Sequence, residues 1–127
     1  MASICIYFQV HQPVRLRRFS LYDEHQPEEL RERYFDLALN RQVFNKVADK
    51  CYLPTNALLL ELIKKHEGKF KISYSLTGTF MEQAREYRPE VLDSFRMLAE
   101  TGCVEFLNET YYHSLCSLFE DKTEFLE

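Results

Sequence analysis

Tryptophan is absent from this chain, and its 127 residues include only 3 glycines and 4 prolines. That scarcity leaves no room for a flexible Gly/Ser linker, a Pro-rich segment or a low-complexity tract. No apolar run approaches the ~18 residues of a membrane span, so no membrane partner is expected. Met1-Ala2-Ser3 lacks a basic leader, and the run Ile4 to Val10 is interrupted by Gln9, so no signal peptide is read. Cys5, Cys51, Cys103 and Cys116 include no C-x-x-C pair, which argues against a zinc knuckle or redox pair, and a reduced cytoplasmic setting fits best. The chain also has no excess of positive charge. At a net charge of −4, nucleic acid is not expected as a partner, and Arg15, Arg17 and Arg18 read as a solvated loop.

What remains is enough for one packed domain spanning 1–127, with 46% hydrophobic and 28% charged residues. Ser3 to Val10 reads as a strand that stops at His11-Gln12-Pro13, because proline cannot donate to a ladder. A second His-Gln-Pro, at His25-Gln26-Pro27, precedes helix-forming or turn-forming residues, ends no strand and reads as coincidence. Val43, Phe44 and Val47 give Asn40 to Cys51 a helical period. Leu53-Pro54-Thr55 is expected to break that helix, with Thr55 or Asn56 capping the next and His66-Glu67-Gly68 closing it. Phe70, Ile72, Tyr74 and Leu76 alternate with Lys71, Ser73, Ser75 and Thr77 as a strand does. Thr79-Phe80-Met81-Glu82 resembles a capping box. Pro89 suits a first helical turn, and Val91, Leu92, Phe95, Leu98 and Ala99 form one apolar stripe that ends at Gly102. A third strand, Gly102-Cys103-Val104-Glu105-Phe106, follows at once.

Strands separated by helical crossovers of this length imply a parallel sheet with right-handed connections. Each strand carries one apolar face and one small or polar face: Ile4, Ile6, Phe8 and Val10 against Cys5, Tyr7, Gln9 and His11, then Ile72, Tyr74 and Leu76 against Ser73, Ser75 and Thr77, and finally Val104 and Phe106 against Cys103 and Glu105. A doubly wound sheet would be apolar on both faces. A barrel fragment, apolar outward and functional inward, fits this pattern better; an open two-layer sheet with its polar face in water is the rival. On the barrel reading His11 and Glu105 point into one inner volume. His11 is either a ligand-binding imidazole or a hydrogen-bonded structural one. Glu105 invites a functional reading because a carboxylate within an apolar strand is costly without a partner. Glu109, Tyr111, Tyr112 and His113 follow, and tyrosines beside carboxylates suit sugars, though a loop packing its rings onto the domain would look the same. His11, Glu105 and His113 lack the short ligand spacing of a metal site, so no metal or cofactor is expected. Ser75-Leu76-Thr77-Gly78-Thr79 has one glycine and no lysine, unlike a phosphate loop. Phe119, Glu120, Asp121, Glu124 and Glu127 read as a loop and helix start with no site.

Phe8-Gln9-Val10-His11-Gln12-Pro13 resembles the first signature of glycoside hydrolase family 57, the α-amylase-like family of α-glucan enzymes. The stretch from Gly102 to Leu115, with Glu105, Glu109, Tyr112 and His113, is similar to its second signature with flanks. Asn40 to Asn56, including Tyr52-Leu53-Pro54-Thr55-Asn56, resembles the segment between them, so the likeness spans essentially the whole chain. The resemblance implies a (β/α)7 TIM-like barrel, of which this chain would be the first three or so βα units. It also implies retaining chemistry on an α-glucan or maltooligosaccharide. His11 and Glu105 inherit a sugar-subsite role, while Gln12, Glu109, Tyr112 and His113 are candidate substrate-binding residues by position. The family's nucleophile and acid/base are expected on later strands beyond Glu127, so the chain alone is expected to be inactive. It would pair with missing barrel strands or with itself. The alternative is a non-catalytic remnant or a partner-binding α/β module.

Overall fold

The computed structural model describes residues 4–18, 20, 22 and 29–123, with backbone only at residue 117. Three parallel strands, β1 (Tyr7–Val10), β2 (Ile72–Leu76) and β3 (Val104–Leu107), form one sheet in the order β1-β2-β3. The register sets Tyr7 beside Ser73 and Ser73 beside Glu105, so side chains of like parity line up across all three strands. Ile4, Cys5 and Ile6, expected within the first strand, precede it instead, while Ser3, the second His-Gln-Pro with Glu28, and the reading at Glu124 and Glu127 lie outside the described residues.

Between β1 and β2 run α1 (Leu30–Tyr34), α2 (Leu37–Val47), a π-helical segment (Ala48–Tyr52) and α3 (Leu53–Lys65). The expected break at Leu53-Pro54-Thr55 does not occur. The helix is carried through by a widened turn, in which the Leu53 amide reaches back to the Ala48 carbonyl. Proline lacks an N–H and collides with the carbonyl four residues earlier in a regular α-turn. The wider turn gives Pro54 room. Asn56 does not cap either: it is buried, donates to Ser94 and accepts from the Tyr74 hydroxyl. Burial pushes that hydroxyl up to about 12, so Tyr74 remains a donor at any physiological pH.

After β2 come α4 (Gly78–Tyr87) and α5 (Pro89–Glu100). The cap of α4 is Thr77, whose Oγ1 accepts from the Phe80 amide, rather than Thr79 as the capping-box pattern suggested. Pro89 opens α5, which buries Val91, Phe95 and Leu98 of the predicted stripe but leaves Leu92 half-buried and Ala99 exposed, and Gly102 turns the chain at φ +66° into β3. Helices and the apolar sheet face meet in an aromatic core. Phe44, Tyr52, Phe95 and the fully buried Phe80 pack together, and Tyr74 stacks between Phe8 and Phe106.

All four cysteines are free. Cys103 is buried against Gly68, as a small apolar group should be. Cys5 is exposed and precedes β1. Among the described residues no helix is long and apolar enough to cross a membrane.

Candidate functional site at the C-terminal ends of the strands

The polar face of the sheet is built by alternation. Tyr7, Gln9 and His11 project from β1 and its end, and Ser73, Ser75 and Thr77 from β2 and its end. Ser75 and Thr77 are almost completely buried, which a hydroxyl tolerates only when bonded. Their cover is the segment that follows β3. Its Tyr111 carbonyl accepts from the Thr79 amide at 3.2 Å, and its Tyr111 ring lies where a Cβ at Gly78 would stand. Only glycine admits that approach.

This returning segment delivers Glu109 and His113. One Glu109 carboxylate oxygen accepts from the Ser75 hydroxyl at 2.5 Å, and the other accepts from the Gln9 amide at 2.7 Å and contacts His113 Nδ1 at 2.5 Å. The Tyr7 hydroxyl joins the chain at 2.7 Å from Ser75. Ser75 uses its proton on the carboxylate, so Tyr7 donates to Ser75. Burial alone would raise the Glu109 carboxyl. The bonds donated by Ser75, His113 and Gln9 outweigh that and hold it below the usual carboxylate range. His113 adopts φ +56°, a left-handed backbone costing a non-glycine residue about 1–3 kcal/mol. The hydrogen-bonded turn that imposes it also aims the imidazole at Glu109.

His11 lies beside this pair. Its ring centroid is 4.8 Å from that of His113, and its Nδ1 is 3.0 Å from the Thr77 hydroxyl. Two imidazolium charges at such a distance would repel by about 3 kcal/mol at an effective dielectric of about 20. Burial, then the neighbouring His113, lower the His11 pKa, against a smaller pull upward from Glu109. His11 is therefore neutral near pH 7, with Nε2 unengaged among the described residues.

The six residues singled out in the sequence separate. His11, Glu109 and His113 come together. Glu105 shares their face by parity but sits level with Ser73 and Tyr7, near the other end of the strands. Along β1 that is roughly 13 Å, and two strand spacings add about 10 Å sideways, so the His11 and Glu105 Cα atoms are roughly 16 Å apart. Glu105 is also exposed, so the burial cost that drew attention to it is not incurred. Gln12 turns away from the cluster. It is buried with its side-chain amide on the Tyr52 hydroxyl at 3.0 Å, and its main-chain carbonyl accepts from the Gln83 side chain at 2.8 Å. Tyr112 is largely exposed and packs edge-on against Tyr111, beside a cavity also lined by Thr79, Glu82 and Arg85. Gln9, Ser75 and Tyr7 belong to the cluster and were not singled out, although their shared parity with His11 and Thr77 was visible. No group of three or more His, Cys, Asp or Glu among the described residues is arranged to hold a metal ion.

A parallel β/α sheet with imidazoles, a carboxylate and hydroxyls converging where the strands end is the ground plan on which α/β enzymes place their sites. The model of glycosyl hydrolase family 57 matches residues 5–127, and the chain belongs to that family. It is 52% identical over 124 residues to a protein of Methanocaldococcus jannaschii named "Putative alpha-amylase". The match covers 98% of this chain and 26% of that protein, so the chain spans about a quarter of its relative's length. No solved structure matches the chain.

Proposed function

We propose that this chain is the N-terminal portion of the catalytic domain of a retaining glycoside hydrolase or glucanotransferase acting on α-glucan or maltooligosaccharides. On this reading the three strands are the first βα units of a (β/α)7 barrel, with helices outside and the polar face toward the lumen. The observation that carries it is the convergence of His11, from the end of β1, with Glu109 and His113, from the segment after β3, on the polar side of one parallel sheet. Imidazole nitrogens on a rigid strand end suit hydroxyl recognition, and the open rings of Tyr111 and Tyr112 nearby suit the apolar faces of sugars.

Retention requires a nucleophile and an acid/base whose carboxyl groups stand about 5–5.5 Å apart. The cluster holds one carboxylate, and its oxygens are taken up by three donors. The 127 residues thus contribute half of a sugar site and are expected to show no turnover by themselves. β1 and β3 each pair on one side only among the described residues, so further strands, or a second copy, fit against those edges.

The test is a titration of the 15N-labelled chain with maltoheptaose. Weak binding should shift the signals of Gln9, His11, Glu109 and His113, and His11→Ala should weaken it by about tenfold, or about 1.4 kcal/mol, without lowering the melting temperature appreciably. Shifts confined to other parts of the chain, or unchanged affinity in the variant, would defeat the proposal.

A further inference from the structure

Three of the roughly four acceptor directions of the Glu109 carboxylate are filled. Ser75 occupies one oxygen; Gln9 and His113 share the other, and nine-tenths of the side chain is buried. A carboxylate held in this way has little left to offer a ligand. His113 differs, because its side chain is 38% exposed and its ring is bonded only through Nδ1.

The position of the proton follows from the donors. Gln9 Nε2 lies 2.7 Å from the Glu109 oxygen and 3.1 Å from His113 Nδ1. If Gln9 donated to Nδ1, that nitrogen would be bare, and a bare nitrogen 2.5 Å from a carboxylate oxygen is a repulsive lone-pair contact. Nδ1 therefore carries the proton and gives it to Glu109. Gln9 donates to Glu109 as well, and its closeness to Nδ1 is incidental while the carboxylate is present. A neutral His113 then presents Nε2 as an acceptor. Tyr7, Ser75 and Gln9 brace the carboxylate from two strands, so the imidazole that the turn delivers meets an acceptor held by the sheet.

We infer that Glu109 is a positioning residue: it fixes the His113 tautomer with Nδ1 protonated, so that Nε2 accepts from a ligand hydroxyl in the site shared with His11. The hydroxyl as partner rests on the sugar-site reading above; the tautomer does not. In glycan chemistry this makes His113 complementary to a hydroxyl that donates, and it sets the carboxylate apart from the reacting groups.

Nitrogen-15 spectra of the histidine-labelled full chain, taken well above the ordinary imidazole titration range at pH ~8.5, read the tautomer directly. His113 should show a protonated Nδ1 and a bare Nε2. Glu109→Ala should exchange the two signals, because Gln9 is then free to donate to Nδ1. Glu109→Gln keeps a carbonyl acceptor and should restore the original pattern. A wild-type His113 protonated on Nε2, or the same tautomer in Glu109→Ala, would overturn the inference. The wild-type spectrum alone can do so, whether or not a variant folds. Maltoheptaose binding with the wrong tautomer would retain the sugar site and remove Glu109 from this role; the expected tautomer without binding would do the reverse.

Discussion

On one face of the sheet Phe8, Tyr74 and Phe106 stack in a row under the helices; on the other, Gln9, Ser75 and Glu109 form a hydrogen-bonded chain. Within the strands the two surfaces are adjacent residues separated only by parity, and Glu109 is added to the polar one by the segment after β3. The apolar face holds the molecule together through area removed from water, which is tolerant of direction. The polar face contributes little area and is strict about direction, since each donor must meet its acceptor. Stability and specificity are thus divided between the even and the odd positions of the strands.

Substitutions can break that division in order of severity. Phe80→Ala empties the centre of the aromatic core and should cost about 3–5 kcal/mol in urea unfolding, with both faces lost together. A cost under about 1 kcal/mol would show that the core lies elsewhere. Gly78→Ala sets a methyl against the Tyr111 ring and should cost about 1–3 kcal/mol while displacing the segment that carries Glu109 and His113. Adding Tyr111→Ala should recover most of the stability. If it does not, the loop is not what glycine accommodates.

Ser75→Ala should cost about 1–2 kcal/mol at neutral pH, leaving the apolar face intact. Its signature is pH. The folded Glu109 carboxyl is depressed, so its contribution is present above the ordinary carboxylate pKa near ~4.3 and is lost as pH falls through the folded value. The variant loses one stabilising donor, its Glu109 should titrate at higher pH by carbon-13 NMR, and the stability gap to wild type should close in acid. A gap independent of pH would mean Ser75 matters only as packing.

The apolar half of this architecture was legible from sequence, and the polar half only in part. Period-two alternation marked both strand faces, and the α5 stripe through Val91, Phe95 and Leu98 was visible because packing against a sheet demands it. The Pro54 reading failed because a π-turn removes the clash that ends an ordinary helix. Thr77 displaced Thr79 as cap because the end of β2 leads directly into α4. Glu105 was legible as a carboxylate in a strand, but register decides how far along the face it stands. Glu109 reaches His11 only through a loop return that Gly78 permits, and no local pattern encodes that meeting.

Because β1, β2 and β3 are spatial neighbours in their order along the chain, the sheet extends in one direction as synthesis proceeds. β2 and then β3 each find a neighbour already made, so neither has to insert between two earlier strands. His11 leaves the ribosome about a hundred residues before His113, so during translation the first imidazole has at most the Thr77 and Thr79 hydroxyls for partners until the second arrives.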